Sequence, residues 1–133
     1  MAVPQQYRKT SIETSSPEKL LLMLYGGAIN FLNQALAGLE ARDYERVNKM
    51  LTKSQAIIDE LMASLNMEYE ISQRLWPLYD YFLRRLVEAN VKKEREPIEE
   101  VLGMMTDLQE CWSQAVASLK TGEQRLERLN VEG

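Results

Sequence analysis

The chain predicts an all-α fold: an antiparallel up-down-up-down four-helix bundle with a flexible N-terminal arm. Three observations lead there. Leu, Ala, Glu, Lys, Gln, Met and Arg dominate and alternating Val/Ile/Thr runs are absent, a mix that favours helix. Gly and Pro number only six and four in 133 residues, so loops are few and short. Apolar residues recur at alternating spacings of three and four in four successive segments, the seam pattern of helices that pack along their length. The expected organisation is an arm over 1–14, a bundle over 15–120, and a C-terminal tail or helix extension over 121–133.

Each helix has its own signals. The arm is polar apart from isolated Val3, Tyr7 and Ile12. Helix one opens with Ser15 or Ser16 as N-cap, Pro17 at the first helical position and Glu18 in the first turn, and closes near Ala41. Its apolar residues from Leu20 through Leu39 cover an arc of about 200°, roughly twice the width a surface helix needs to seat on a core. Asp43 can cap helix two, whose seam is Tyr44, Val47, Leu51, Ser54, Ile58, Leu61 and Leu65, with a break at Asn66. Helix three carries Ile71, Leu75, Leu78, Phe82, Leu86 and Ala89 on one face, beside a second stripe of Trp76, Tyr79, Leu83 and Val87. Pro77 inside it is expected to kink the helix or delay its regular start. Helix four begins at Pro97 and has the seam Ile98, Val101, Met105, Leu108, Trp112, Ala115 and Leu119. Four helices of about 22–25 residues with short connections leave each beside its predecessor.

Composition narrows the function. A net charge of −4 and a pI near 5.0 argue against nucleic acid as a partner. One cysteine, Cys111, allows no internal disulfide and fits a reducing cytoplasm. No signal peptide and no apolar run approaching 18 residues are visible, so membrane insertion is not expected. The chain has no His, which removes the commonest general base and the main nitrogen ligand for metals. Phosphate-cradling glycine loops are absent, because Gly26-Gly27 lies within a helical pattern. An enzyme is therefore not expected, nor a cofactor or a metal site.

What remains is surplus apolar surface. Missing side chains at Gly26 and Gly27 either weaken an exposed position or let another backbone approach. Met23 points away from the main arc of helix one, and Met suits adaptable contact surfaces. Trp76 lies on the extra stripe of helix three, whereas Trp112 lies on a core seam. Asp80 and Arg84 are spaced to pair across one helical turn.

A family resemblance rests on ordered segments along the chain. These are Tyr7-x4-Ile12-Glu13-Thr14-Ser15-Ser16-Pro17-Glu18-Lys19-Leu20 and Met23-Leu24-Tyr25-x-Gly27-Ala28-Ile29. Further on come Leu78-Tyr79-Asp80-Tyr81-x3-Arg85-Leu86-x2-Ala89-Asn90, Ile98-Glu99-Glu100-Val101 and Trp112. Over residues 7–119 the chain resembles the FliS family of flagellin export chaperones. Gly26, Pro77 and Pro4 depart from the family pattern, which often has Asp or Asn, a small helix former and an apolar residue there. The resemblance implies a cytoplasmic bundle that binds the disordered C-terminal segment of flagellin, blocks premature polymerisation and supports delivery to the export gate. It also implies that the arm, through Tyr7, covers part of the binding surface when flagellin is absent. The partner-contacting residues expected from both lines of reasoning are Tyr7, Ile12, Leu22, Met23, Tyr25, Ile29, Leu36, Trp76, Tyr79, Asp80, Leu83 and Asn90. The competing reading is a non-catalytic helical adaptor that forms a homo-oligomer through the apolar strips of helices one and three.

Overall fold

The computed structural model describes residues 16–132; Tyr7, Ile12 and the rest of the arm lie outside the described residues. Four helices follow in order: α1 Pro17–Glu40, α2 Tyr44–Ala63, α3 Glu70–Lys92 and α4 Arg95–Glu132. Each packs on its predecessor, and α4 closes the bundle against α1. The helices thus occupy the corners of a square, with α1 diagonal to α3 and α2 diagonal to α4.

The helix starts follow their capping chemistry. Ser16 Oγ accepts from the Lys19 N–H at 3.3 Å with Pro17 at the first position. Asp43 Oδ1 accepts from the Arg46 N–H at 3.1 Å. The α1–α2 turn is tight. The Asp43 N–H donates to the Gly38 carbonyl at 2.8 Å and the Arg42 N–H to the Leu39 carbonyl at 3.1 Å. That pattern places Arg42 in the left-handed region, at φ 55°. Lys93, at φ 53°, ends α3 in the same way, with the Glu94 N–H donating to the Ala89 carbonyl at 3.1 Å.

Gly38 makes the α1–α2 turn possible. A Cβ there would lie 3.0 Å from Val47 Cγ2 and 3.3 Å from the Asp43 carbonyl oxygen. Because the Asp43 carbonyl oxygen and the Val47 nitrogen, also 3.3 Å away, are backbone, Gly38→Ala is expected to cost about 1–3 kcal/mol in a urea unfolding experiment. Gly27 lets α1 approach α2, since its Cβ would stand 3.1 Å from Ile57 Cδ1. Gly26 has ordinary space toward Gln109, at 3.6 Å. Both glycines are half-buried and meet side chains, so neither is a weak exposed position and neither admits another backbone.

The core is built from Tyr25, Ala28, Leu32 and Ala35 of α1 and Val47, Leu51, Ile58 and Leu61 of α2. Leu75, Tyr79, Phe82 and Leu86 of α3 and Ile98, Val101 and Met105 of α4 complete it. Ser54, the small residue in the α2 seam, is buried and donates to the Ala28 carbonyl at 3.4 Å.

Four expectations need correction. The buried face of α3 runs through Ser72, Leu75, Tyr79, Phe82, Leu86 and Ala89, while Ile71 is exposed. Both series fit spacings of three and four; the structure takes the one that buries a tyrosine because a hydroxyl partner waits for it. Tyr44 is exposed in the first turn of α2, immediately after the α1–α2 connection. Helix α3 starts at Glu70 and is continuous through Pro77, so the proline does not delay its start. Helix α4 has 38 residues, about 57 Å, and its seam beyond Trp112 is exposed at Ala115 and Leu119.

An 18-residue window of α1 is also long and apolar enough to cross a membrane, with mean hydropathy 1.4, although no unbroken apolar run is visible. In the fold that helix supplies one wall of the core.

Candidate interaction surface

Three clusters position the helix edges. The first is inside. The Tyr25 and Tyr79 hydroxyls meet across the bundle diagonal at 2.5 Å, one donating to the other, and both rings are fully enclosed. Burial raises both hydroxyl pKa values. The Trp112 indole N–H lies near enough to Tyr25 to oppose part of that rise, yet outside hydrogen-bond geometry. Two tyrosines expected at a partner are therefore core side chains, and Trp112 is only half-buried at the edge of the same cluster.

The second cluster locks α3 to α4. Glu100 Oε1 accepts from the Tyr81 hydroxyl at 2.6 Å and from Arg85 Nε at 2.9 Å, and Arg85 Nη1 donates to Glu88 at 2.8 Å. These donors hold the Glu100 and Glu88 carboxyls below the usual carboxylate range, hydrogen bonding being the largest cause. A depressed carboxylate pKa stabilises the fold above the unfolded value, and the contribution is lost as pH falls through the folded value. Stability is expected to drop as pH falls below about 4.5 toward 3, and Glu100→Gln should flatten that dependence in thermal melts.

The third cluster locks α3 to α2. Asn90 Nδ2 donates to Asn48 Oδ1 at 2.7 Å and Asn90 Oδ1 accepts from Lys93 Nζ. Asn90 is thus occupied within the bundle. Asp80 pairs with Arg84 at 3.1 Å, the arginine well solvated and the aspartate half-buried, a contact worth a few tenths of a kcal/mol.

With these contacts fixing which side of each helix meets which neighbour, the remaining apolar candidates fall on two edges. On α1, Gly26 faces Gln109 and Gly27 faces Ile57, so α4 and α2 lie on opposite sides. Leu22, Ile29 and Leu36 recur every seven residues, about 20–60° from Tyr25 toward the α4 side. All three are half-buried, whereas Met23, about 100° further round on the outer face of α1, is 46% exposed. On α3, Tyr81 and Arg85 mark the α4 side and Asn90 the α2 side. Trp76, Leu83 and Val87 lie toward α2, about 40–80° from Tyr79. Trp76 is 43% exposed, Val87 is exposed and Leu83 half-buried. The α1–α4 and α2–α3 edges are opposite sides of the square, so the strips of helices one and three do not form one groove.

A small antiparallel bundle that keeps apolar side chains at two opposite edges is, as a class, a helical interaction module. The comparisons with known proteins refine this. Residues 1–119 match the model of the family described as Flagellar protein FliS, and the chain belongs to that family. It is 42% identical over 112 residues to the flagellar secretion chaperone FliS of Bacillus subtilis, covering 84% of each chain. With the flagellar secretion chaperone FliS of Salmonella typhimurium it shares 38% identity over 115 residues, covering 81% of this chain and 85% of the other. A solved structure described as a flagellar chaperone from bacteria superposes with a TM-score of 0.72 at 23% identity. It covers 86% of this chain and 94% of that one, and speaks for the fold. The relatives are chaperones, a non-catalytic role.

Proposed function

We propose that this chain is a cytoplasmic flagellar secretion chaperone that holds the C-terminal segment of flagellin, keeps it from polymerising early and presents it to the flagellar export gate. The observation that carries the reading is the pair of opposite apolar edges on a chain of the FliS family. A client disordered when free can cover a large surface by folding on it. Reaching both edges requires such a client to wrap around one side of the bundle, roughly 40 Å of path or about a dozen extended residues. Leu22, Ile29 and Leu36 form one contact strip, with Met23 exposed on the outer face next to it, and Trp76, Leu83 and Val87 form the other. Asp80 with Arg84 gives the second strip a polar rim. Tyr25, Tyr79 and Asn90 act indirectly, by fixing the helices that carry the strips.

In this reading the chaperone works by stoichiometric binding, without catalysis. Isothermal titration of the full chain with a peptide of the flagellin C-terminus is expected to give one-to-one binding with a negative heat-capacity change, the mark of apolar burial. Absence of heat and of complex on gel filtration would remove the reading.

A further inference from the structure

Among the described residues, the Trp112 indole nitrogen is the buried side-chain polar atom that makes no hydrogen bond. In folded proteins roughly nine in ten buried polar atoms are paired, and an indole N–H can only donate. The Tyr25 hydroxyl lies beside it, yet outside hydrogen-bond geometry. A Tyr25 oxygen that gives its own proton to Tyr79 keeps both lone pairs and can accept from Trp112. A row from Trp112 through Tyr25 to Tyr79 therefore lacks only its first bond. The gap lies on the α1–α4 edge. Trp112 stands level with Tyr25, and Leu22 and Ile29 of the contact strip lie one turn to either side of Tyr25. Gly26 puts no side chain between them, and a Cβ there would have only Gln109 within 4 Å. The indole nitrogen is enclosed, whereas the Trp112 side chain as a whole is half-buried. Its outer part is thus open to whatever lies on the strip, while its nitrogen faces Tyr25.

We propose that Trp112 is a positioning residue of the client site: a segment lying on the α1–α4 strip covers the indole and seats it, and the N–H then donates to Tyr25. The inference rests on the proposed binding of flagellin, because something must cover the strip. A bound segment shifts an equilibrium only by contacting one arrangement better than another. Here the seated arrangement gains a covered ring and a completed bond, and the loose one has neither. The apolar surroundings make that bond count, since an unpaired donor costs most where water cannot reach it. The completed row also spans the bundle. It ties α4 to α1 and, through the Tyr25–Tyr79 contact, α1 to α3. Filling the α1–α4 edge therefore steadies the helix that carries Trp76, Leu83 and Val87 on the opposite edge.

Nuclear magnetic resonance of the full chain tests this, because two tryptophans give two indole N–H signals. A spectrum of Trp76→Phe assigns them. On saturation with the flagellin C-terminal peptide, the Trp112 indole proton is expected to move downfield and to exchange with solvent about tenfold more slowly. Tyr25→Phe keeps the ring and removes the acceptor. In that variant the downfield move should vanish while the Leu22 and Ile29 methyl signals still respond, and affinity should fall about tenfold. The wild-type titration stands without the variant: a Trp112 signal that stays in place while the strip methyls shift would overturn the proposal. So would a downfield move that survives in Tyr25→Phe, or an indole already downfield and slow to exchange before peptide is added. Those three outcomes leave flagellin binding standing. No heat of binding and no shift anywhere would instead remove the client reading, and this inference with it.

Discussion

Tyr79→Asp is expected to unfold the bundle and not merely to weaken partner binding. The Tyr79 side chain is 1% exposed, and its hydroxyl meets the equally buried Tyr25 hydroxyl. Aspartate there would be an unpaired charge in an apolar interior, or a protonated acid that fills less space. Either way the ring packing against Phe82, at 6.3 Å between centroids, is lost. Together these exceed about 4 kcal/mol, a large part of the 5–15 kcal/mol that holds a typical domain. Tyr79→Phe keeps the ring and strands only the Tyr25 hydroxyl, at about 1–2 kcal/mol. Circular dichroism melts of the two variants check the contrast. An Asp variant that melts near wild type would mean that Tyr79 can leave the core at little cost.

Charge placed on the edges should act differently. Ile29→Lys on the α1–α4 edge and Leu83→Lys on the α2–α3 edge are each expected to lower affinity for the flagellin C-terminal peptide about 10- to 100-fold, or roughly 1.4–2.7 kcal/mol. Both positions are half-buried, so a lysine can lay its aliphatic stem on the surface and keep its ammonium in water, leaving the fold in place. Titration calorimetry beside a thermal melt separates the two effects. If one edge alone responds, the client occupies one side of the bundle and does not wrap.

The helices, their order and their caps were legible because the signals are local. Ser16-Pro17 and Asp43 sit where a free helix end needs an acceptor. Within a helix, periodicity gives an angle but not the neighbour at that angle. On α3 the series through Ile71 and Leu78 and the series through Ser72 and Tyr79 differ at two places, each by one residue, and hydrophobicity favours the first. The deciding contact is a second tyrosine 54 residues away, invisible to any local window. Gly38 was missed for a related reason: its need for no side chain comes from Val47 and the Asp43 carbonyl after the turn. Gly38 and Asp43 framing a short helix connection was the available clue. The length of α4 was readable, since Gly122, Leu126 and Leu129 keep the seam's phase, but the scattered charges after Lys120 masked it. For the surface, Trp76 and Met23 fall where their angles put them, whereas Tyr25 and Tyr79 do not, because a wide apolar arc contains both core and edge.

The most direct measurement of the central claim is a nuclear magnetic resonance titration of the full chain with the flagellin C-terminal peptide, following side-chain methyl and indole signals. The account predicts saturable one-to-one shifts at Leu22, Ile29 and Leu36 together with Trp76, Leu83 and Val87, on two edges that share no contact. Shifts confined to the Arg95–Glu99 end of the bundle, or no shifts at either edge at saturating peptide, would contradict it.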